Sequence, residues 1–331
     1  MDTTNIPKDT VPTNLTTNVP LPWRPSITSG SLKVSCPDNM PPVVPKRYLD
    51  LGIECGYNPP PLDSIRLYLT GPSGDGKTTF ISTDSDTVIL DFEDGAWGVP
   101  GSRTQRWVIK TWQQYQDILA LLIADGNTGK RVFNRVSIDT TDKWAAFMAA
   151  RVVWEYNQTQ PVKLADCIVD VGTMGRPWFL VRDRCMADLM LLRNAGYGWT
   201  VVGHEASRLI DDPDNPGKKK RSVEETLFPT MHQALVQDCD IRAKVYSVPA
   251  TKTEMVTVTI GGKSVAKPHR VAAREYRLSV RSTPDTELKV RGVPDLMGTF
   301  VLGENDGWQV LKVAYDEAVS KAKERMKQVK E

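Results

Sequence analysis

Cysteine and histidine are scarce in this chain, and a surplus of either charge is missing. The 331 residues include five cysteines, at 36, 55, 167, 185 and 239, and three histidines. No Cys-x-x-Cys pair occurs, the cysteine count is odd, and no spacing matches a metal cluster. That argues against a disulfide framework and a zinc module; reduced thiols in a cytosol fit this usage. Lysine and arginine total 42 against 40 acidic residues, a formal net charge of +2. A polyelectrolyte field over the whole chain is excluded, so any nucleic-acid surface has to be local. Long apolar runs are also absent. The longest, around residues 118–124, falls far short of the ~20 residues that span a membrane. The first residues, Met1-Asp2-Thr3-Thr4, lack the basic start and apolar stretch of a secretory leader, and none is expected. What remains, 40% hydrophobic and 25% charged, is enough for a large core.

Against that plain background one segment stands out. Gly71-Pro72-Ser73-Gly74-Asp75-Gly76-Lys77-Thr78 is a complete G-x-x-x-x-G-K-[ST] phosphate-binding loop. Its glycines let the backbone curl so that successive N–H groups face phosphate oxygens. Lys77 is placed to reach the β- and γ-phosphates, and the Thr78 hydroxyl to ligate Mg²⁺. Residues 65–70 before it alternate and are β-prone, and a helix is expected to start at its end, adding a positive N-terminus. ATP with Mg²⁺ is therefore expected on residues 71–79, with Thr79 closing the stretch.

The rest of the chain orders itself around that loop. Residues 1–47, rich in Pro, Thr, Asn and Ser, read either as a floppy arm or as one bound to a neighbouring subunit. A core is expected over 48–300 and a terminal helix over 301–331. Strands are predicted at 87–92, 106–109, 134–139 and 199–203. Between them fall helices capped by Thr111 and Thr141 and a long one opened by Pro177 and ended near Gly196. Such alternation implies a parallel sheet covered by helices. After residue 226 the pattern changes. Segments 241–248, 255–260 and 275–281 read as strands with Gly261-Gly262 as a turn, an antiparallel extension of the sheet edge. A charged helix follows over about 307–330.

Hydrolysis needs a residue that positions water and another that holds the metal. Asp91-Phe92-Glu93-Asp94-Gly95 ends the strand that follows the loop, and Glu93 is the expected water-orienting carboxylate; the alternative is a pair of surface charges at a strand end. Asp139 ends the apolar strand Arg135-Val136-Ser137-Ile138 and is expected to hold a Mg²⁺-bound water. His204 stands at the carboxyl end of a late strand, where parallel sheets collect ligands, and is expected to sense the γ-phosphate. Residues 206–226 read as a polar mobile loop. Its run Lys218-Lys219-Lys220-Arg221 is a candidate DNA-backbone contact or else a solvated charge run beside Asp211, Asp212 and Asp214. Lys289-Val290-Arg291 is a candidate arginine finger from an adjacent subunit or a surface basic pair.

Taken in order, these motifs resemble the RecA-like recombinase superfamily, most closely phage-encoded RecA-core ATPases of single-strand annealing and recombination. In that group a Glu follows the second core strand, as Glu93 does. A His stands where RecA has Gln, as His204 does, and a Lys-x-Arg occurs near the end of the core, as Lys289 and Arg291 do. The resemblance covers residues 62–300 and implies an α/β fold: a RecA-like P-loop NTPase core, its mainly parallel sheet flanked by helices, with a C-terminal antiparallel extension. It implies ATP and Mg²⁺ as cofactors, and single-stranded DNA as a ligand. Copies of the chain in a ring or filament, with Lys289 and Arg291 completing a neighbour's site, are implied as well. Further partners would be a single-strand-binding protein or another replication or recombination factor, in the cytoplasm of a bacterial host and without a membrane. Three rivals stay open: a helicase-like or DNA-packaging motor, a nucleotide-switched structural or loader protein, and a small-molecule kinase.

Overall fold

The computed structural model describes residues 58–95, 99, 104–160, 164–172, 175–211, 219–260, 263–280, 288–303 and 305–328. The N-terminal arm, Lys218 and the Gly261-Gly262 turn lie outside them. Short strands with no exposed position come first: β1 (Arg66–Thr70), β2 (Thr87–Asp91), β4 (Arg135–Asp139) and β5 (Gly198–Val202) are buried at every residue. Strands covered on both faces belong inside a parallel sheet. The sheet runs β11-β9-β8-β1-β5-β4-β2-β3, where β3 is Gln105–Val108, β8 Ile241–Ile260, β9 Lys263–Ser279 and β11 Thr299–Leu302. From β8 through β3 every neighbour is parallel; β9 and β11 add on antiparallel. The predicted α/β layering with an antiparallel extension is therefore the observed one. β1, β2, β4 and β5 all end at one edge, and β5 separates the strand before the phosphate loop from the strand ending in Asp139.

Helices α1 (Lys77–Ile81), α2 (Trp112–Asn127), α3 (Thr141–Thr159), α4 (Arg176–Asn194), α5 (Pro229–Asp238) and α6 (Gly307–Gln328) close the two faces. Alternation along β1 feeds both cores. Tyr68 enters one with Trp144, Met148, Leu189, Trp199 and Met231. Leu67 and Leu69 enter the other with Phe80, Ile241, Leu311 and Tyr315, so α6 packs directly on the sheet. No described helix is long and apolar enough to cross a membrane.

Three expectations change. Thr111 does cap α2, accepting from the Gln114 N–H. Thr141 instead lies inside α3, and its hydroxyl donates to the Val202 carbonyl at 2.8 Å, tying the helix to β5. The expected loop at 206–226 is a hairpin, β6 (Glu205–Asp211) against β7 (Lys219–Glu225). The expected strands at 241–248 and 255–260 are one continuous strand, β8, and its antiparallel partner β9 begins as early as Lys263.

Candidate nucleotide-binding site

The loop leaves β1 at Gly71, whose φ is +152°, with its α-carbon against β8. A β-carbon there would lie 2.0 Å from the Val245 carbonyl oxygen, so only glycine lets β8 approach this closely. Gly76, at φ +87°, turns the chain into α1 and rests on the Tyr276 ring. The loop's third prop is Asp75, which accepts from the Ser247 N–H at 3.3 Å and the Ser247 hydroxyl at 2.9 Å. Helix α1 starts where expected but is only five residues long, so anion affinity rests on the loop's N–H groups and Lys77. Lys77 is buried, and its Nζ donates to the carbonyls of Gly71 at 2.8 Å and Pro72 at 2.7 Å. Burial pulls its pKa down; Asp139, Asp75, Glu205 and Asp142 pull the other way and do not fully offset it.

Beside the loop the strand ends bring carboxylates together. Asp91 and Asp139 are register partners on β2 and β4. Asp91 faces inward. Its Oδ1 accepts from the N–H groups of Glu93 at 3.1 Å and Asp94 at 2.8 Å, and its Oδ2 pairs with Arg106 at 3.0 Å. Asp91 thereby shapes the turn that presents Glu93, and Phe92 anchors the same turn against Tyr115 and Phe147. Asp139 Oδ2 accepts from the Thr78 hydroxyl at 2.8 Å. Its Oδ1 is buried and without a hydrogen-bond partner among the described residues. Burial, reinforced by Asp91 and Glu93, pushes the Asp139 carboxyl up to about 6.

Across from Asp139, ligand atoms of Glu93, Asp142 and His204 all lie within 4.8 Å of one another. Asp142 was not anticipated. It sits in the first turn of α3, and its Oδ2 is 3.5 Å from His204 Nδ1. Burial pushes its carboxyl up, yet hydrogen bonding to His204 and neighbouring groups holds it below the usual range. Behind His204, Glu205 is also buried. It accepts from the Thr70 hydroxyl at 2.9 Å and pairs with Lys244 at 2.6 Å, while its N–H donates to the Gly71 carbonyl.

The structure thus assembles Lys77, Thr78, Glu93, Asp139 and His204 around one loop, while Lys289, Arg291 and the described residues Lys219 to Arg221 lie on other elements. Lys289 and Arg291 lie on and just after β10 (Lys289–Val290), which pairs with the first residues of β8, at the opposite end of the sheet. Lys289 Nζ donates to the carbonyls of Val236 and Gln237, and Arg291 to that of Gln237, at the C-terminal end of α5. Lys219 to Arg221 open strand β7 instead of lying in a mobile loop, and Lys219 stands 4.0 Å from Asp211.

The residues fit a magnesium nucleotide. An orphaned oxygen of Asp139 beside the Thr78 hydroxyl suits a hard cation. A buried ammonium resting on carbonyls that a phosphate could replace suits a polyphosphate. No curated protein matches the chain. A family model for an AAA domain, AAA_24, matches residues 63–272, from just before β1 into β9 and more than half of the sequence. The chain accordingly belongs to that family of AAA domains, the P-loop ATPases.

Proposed function

We propose that the chain is a DNA-dependent ATPase of the recombination type, which binds single-stranded DNA as an oligomer and promotes annealing or strand exchange. The observation that carries the catalytic half is the meeting of Glu93, Asp142 and His204 beside the Thr78–Asp139 pair. Bound ATP supplies the phosphoanhydride, and Mg²⁺ offsets the charge of its phosphates. Thr78 and Asp139 would hold the cation. Lys77, already desolvated, would exchange the Gly71 and Pro72 carbonyls for phosphate oxygens at little reorganisation cost. Glu93, exposed and aimed by Asp91, orients water and accepts its proton. His204, held by Asp142, faces the same space.

The DNA half rests on the resemblance of the motif series and on the position of the basic run. Its residues Lys219 to Arg221 lie on a hairpin that starts one residue after His204. A trans role for Lys289 and Arg291 would require them to leave the α5 carbonyls.

The test is steady-state ATP hydrolysis by the purified chain with and without single-stranded DNA, with Glu93→Gln as control. Turnover stimulated by DNA and lost in the control is expected. Tight ATP binding with no turnover in either condition would overturn the reading in favour of a nucleotide-switched assembly protein. Directional translocation along DNA would move it to a motor.

A further inference from the structure

The β8–β9 hairpin outgrows the sheet. Its strands are 20 and 17 residues long, yet β8 pairs with β1 only through Lys244, and β9 pairs with β11 only from Tyr276 to Ser279. Farther out the two strands pair only with each other among the described residues. Residues 251–257 and 266–270 are exposed without exception, so both faces of the ribbon meet solvent. A two-stranded ribbon with no covered face has no core of its own and is marginal in water. Its composition says what covers it. Residues 251–274 hold Lys252, Lys263, Lys267, Arg270 and Arg274 against a single acid, Glu254, in a chain whose net charge is only +2. Lys252 is 3.9 Å from Glu254; Arg274, near the root, is 3.9 Å from Asp75. Opposite residues share a face. The pairs Thr253–Arg270 on one face, and Lys252–Val271 and Val256–Lys267 on the other, therefore put basic side chains on both. No Phe, Trp or Tyr occurs in 251–271, so the row of large rings typical of single-strand binders is absent there. A narrow ribbon that is positive on both faces fits between two rows of phosphates. The major groove of duplex DNA is that space and admits a two-stranded ribbon.

We propose that the outer β8–β9 hairpin is a duplex-DNA docking arm, with Lys252, Lys267 and Arg270 contacting phosphates. This goes beyond the single-strand reading above and does not use residues 218–221.

The test is the anisotropy of a short labelled duplex and of a single strand of matching length, across a salt series, with the full chain and two variants. One variant carries Lys252→Ala, Lys267→Ala and Arg270→Ala. The other joins Thr251 to Ala272, a register pair, through Gly-Gly. Duplex affinity is expected to fall about tenfold or more in both, and the log–log salt slope of the triple variant to shrink by about 2 to 3. ATP turnover without DNA and single-strand binding should persist and serve as the check on folding. Unchanged duplex binding in the triple variant, or no duplex binding by the unaltered chain, overturns the proposal. So does a shift of the variants from oligomer to monomer with duplex affinity intact, which would make the arm a subunit contact. Duplex binding that depends on the arm while single-stranded DNA neither binds nor stimulates turnover would leave the arm standing and remove the single-strand reading.

Discussion

Asp142→Asn separates charge from shape at the candidate site. The carboxylate lies 3.5 Å from His204 Nδ1, and its ligand atoms come within 4.8 Å of those of Glu93 and His204. Its pKa is lowered, because hydrogen bonding to His204 and neighbouring groups outweighs the upward push of burial, so it is ionised at neutral pH. Asparagine keeps the size and one acceptor oxygen but removes the negative charge. A hydrogen bond to a charged group contributes about 1.5–3 kcal/mol. Losing it from the transition state alone corresponds to a drop in kcat of roughly 10- to 100-fold. Nucleotide affinity should change by less than about threefold, since Lys77 and the loop N–H groups stay in place. The assay is steady-state turnover together with equilibrium binding of a non-hydrolysable ATP analogue. An unchanged kcat would refute the argument and leave the Asp142–His204 contact purely structural. A parallel loss of kcat, affinity and thermal stability would refute it equally, since it would mean that α3 had shifted.

Three further outcomes are expected. Gly71→Ala sets a β-carbon 2.0 Å from the Val245 carbonyl at φ +152°; a cost of about 3 kcal/mol or more, with loss of nucleotide binding, is expected by urea titration and analogue binding. Arg135 is fully buried, and its guanidinium donates to the carbonyls of Leu62, Ile65 and Trp199 and to the Thr200 hydroxyl, beneath the Trp308 ring. Arg135→Met fills the space but orphans these acceptors, so urea unfolding should show a loss of about 3–5 kcal/mol. Burial pushes the Asp188 carboxyl up to about 6, although the Tyr115 hydroxyl donates to it at 2.7 Å. A raised folded-state pKa gives a contribution to stability that is complete below pH ~4 and lost as pH rises through about 6. Asp188→Asn keeps an acceptor for Tyr115 and escapes that loss. The variant should therefore match the unaltered chain near pH 4 and exceed its stability on the order of 2 kcal/mol at pH 8. A difference independent of pH would contradict the assignment.

Contiguity decided what could be read from sequence. The phosphate loop is eight adjacent residues, and the buried parallel strands are short apolar runs, so the loop, the positions of those strands and the Thr111 cap were legible, whereas the cap expected at Thr141 falls inside α3. Contacts through space were not. Asp142 meets His204 only because α3 starts beside the end of β5, and nothing at position 142 alone announces a partner 62 residues away. Residues 249–254 fall between the two expected strands, and they open on Pro249, a residue that rarely sits inside a sheet. Beyond Lys244 β8 has β9 as its one neighbour among the described residues, and an edge strand tolerates the missing N–H. The polar, proline-containing stretch after His204 likewise masked the β6–β7 pairing. Lys289 and Arg291 have the spacing of a finger, but the exposed carbonyls closing α5 claim them.

The phosphate loop is where the separate parts of the molecule converge. Lys77 Nζ and the Glu205 N–H both donate to the Gly71 carbonyl, at 2.8 and 3.0 Å. Glu205 is the first residue of the β6–β7 hairpin. Were Lys77 to turn toward a phosphate, Gly71 would retain the hairpin's N–H, on a residue whose carboxylate is held by Thr70 and Lys244. The second hairpin meets the same loop from the other side: Val245 against Gly71, Ser247 on Asp75 and Tyr276 on Gly76. A displacement of this loop by even a few tenths of an ångström meets backbone on the β8 side, because Gly71 has no slack there. Two hairpins, β6–β7 and β8–β9, are thus rooted on the one turn that carries Lys77.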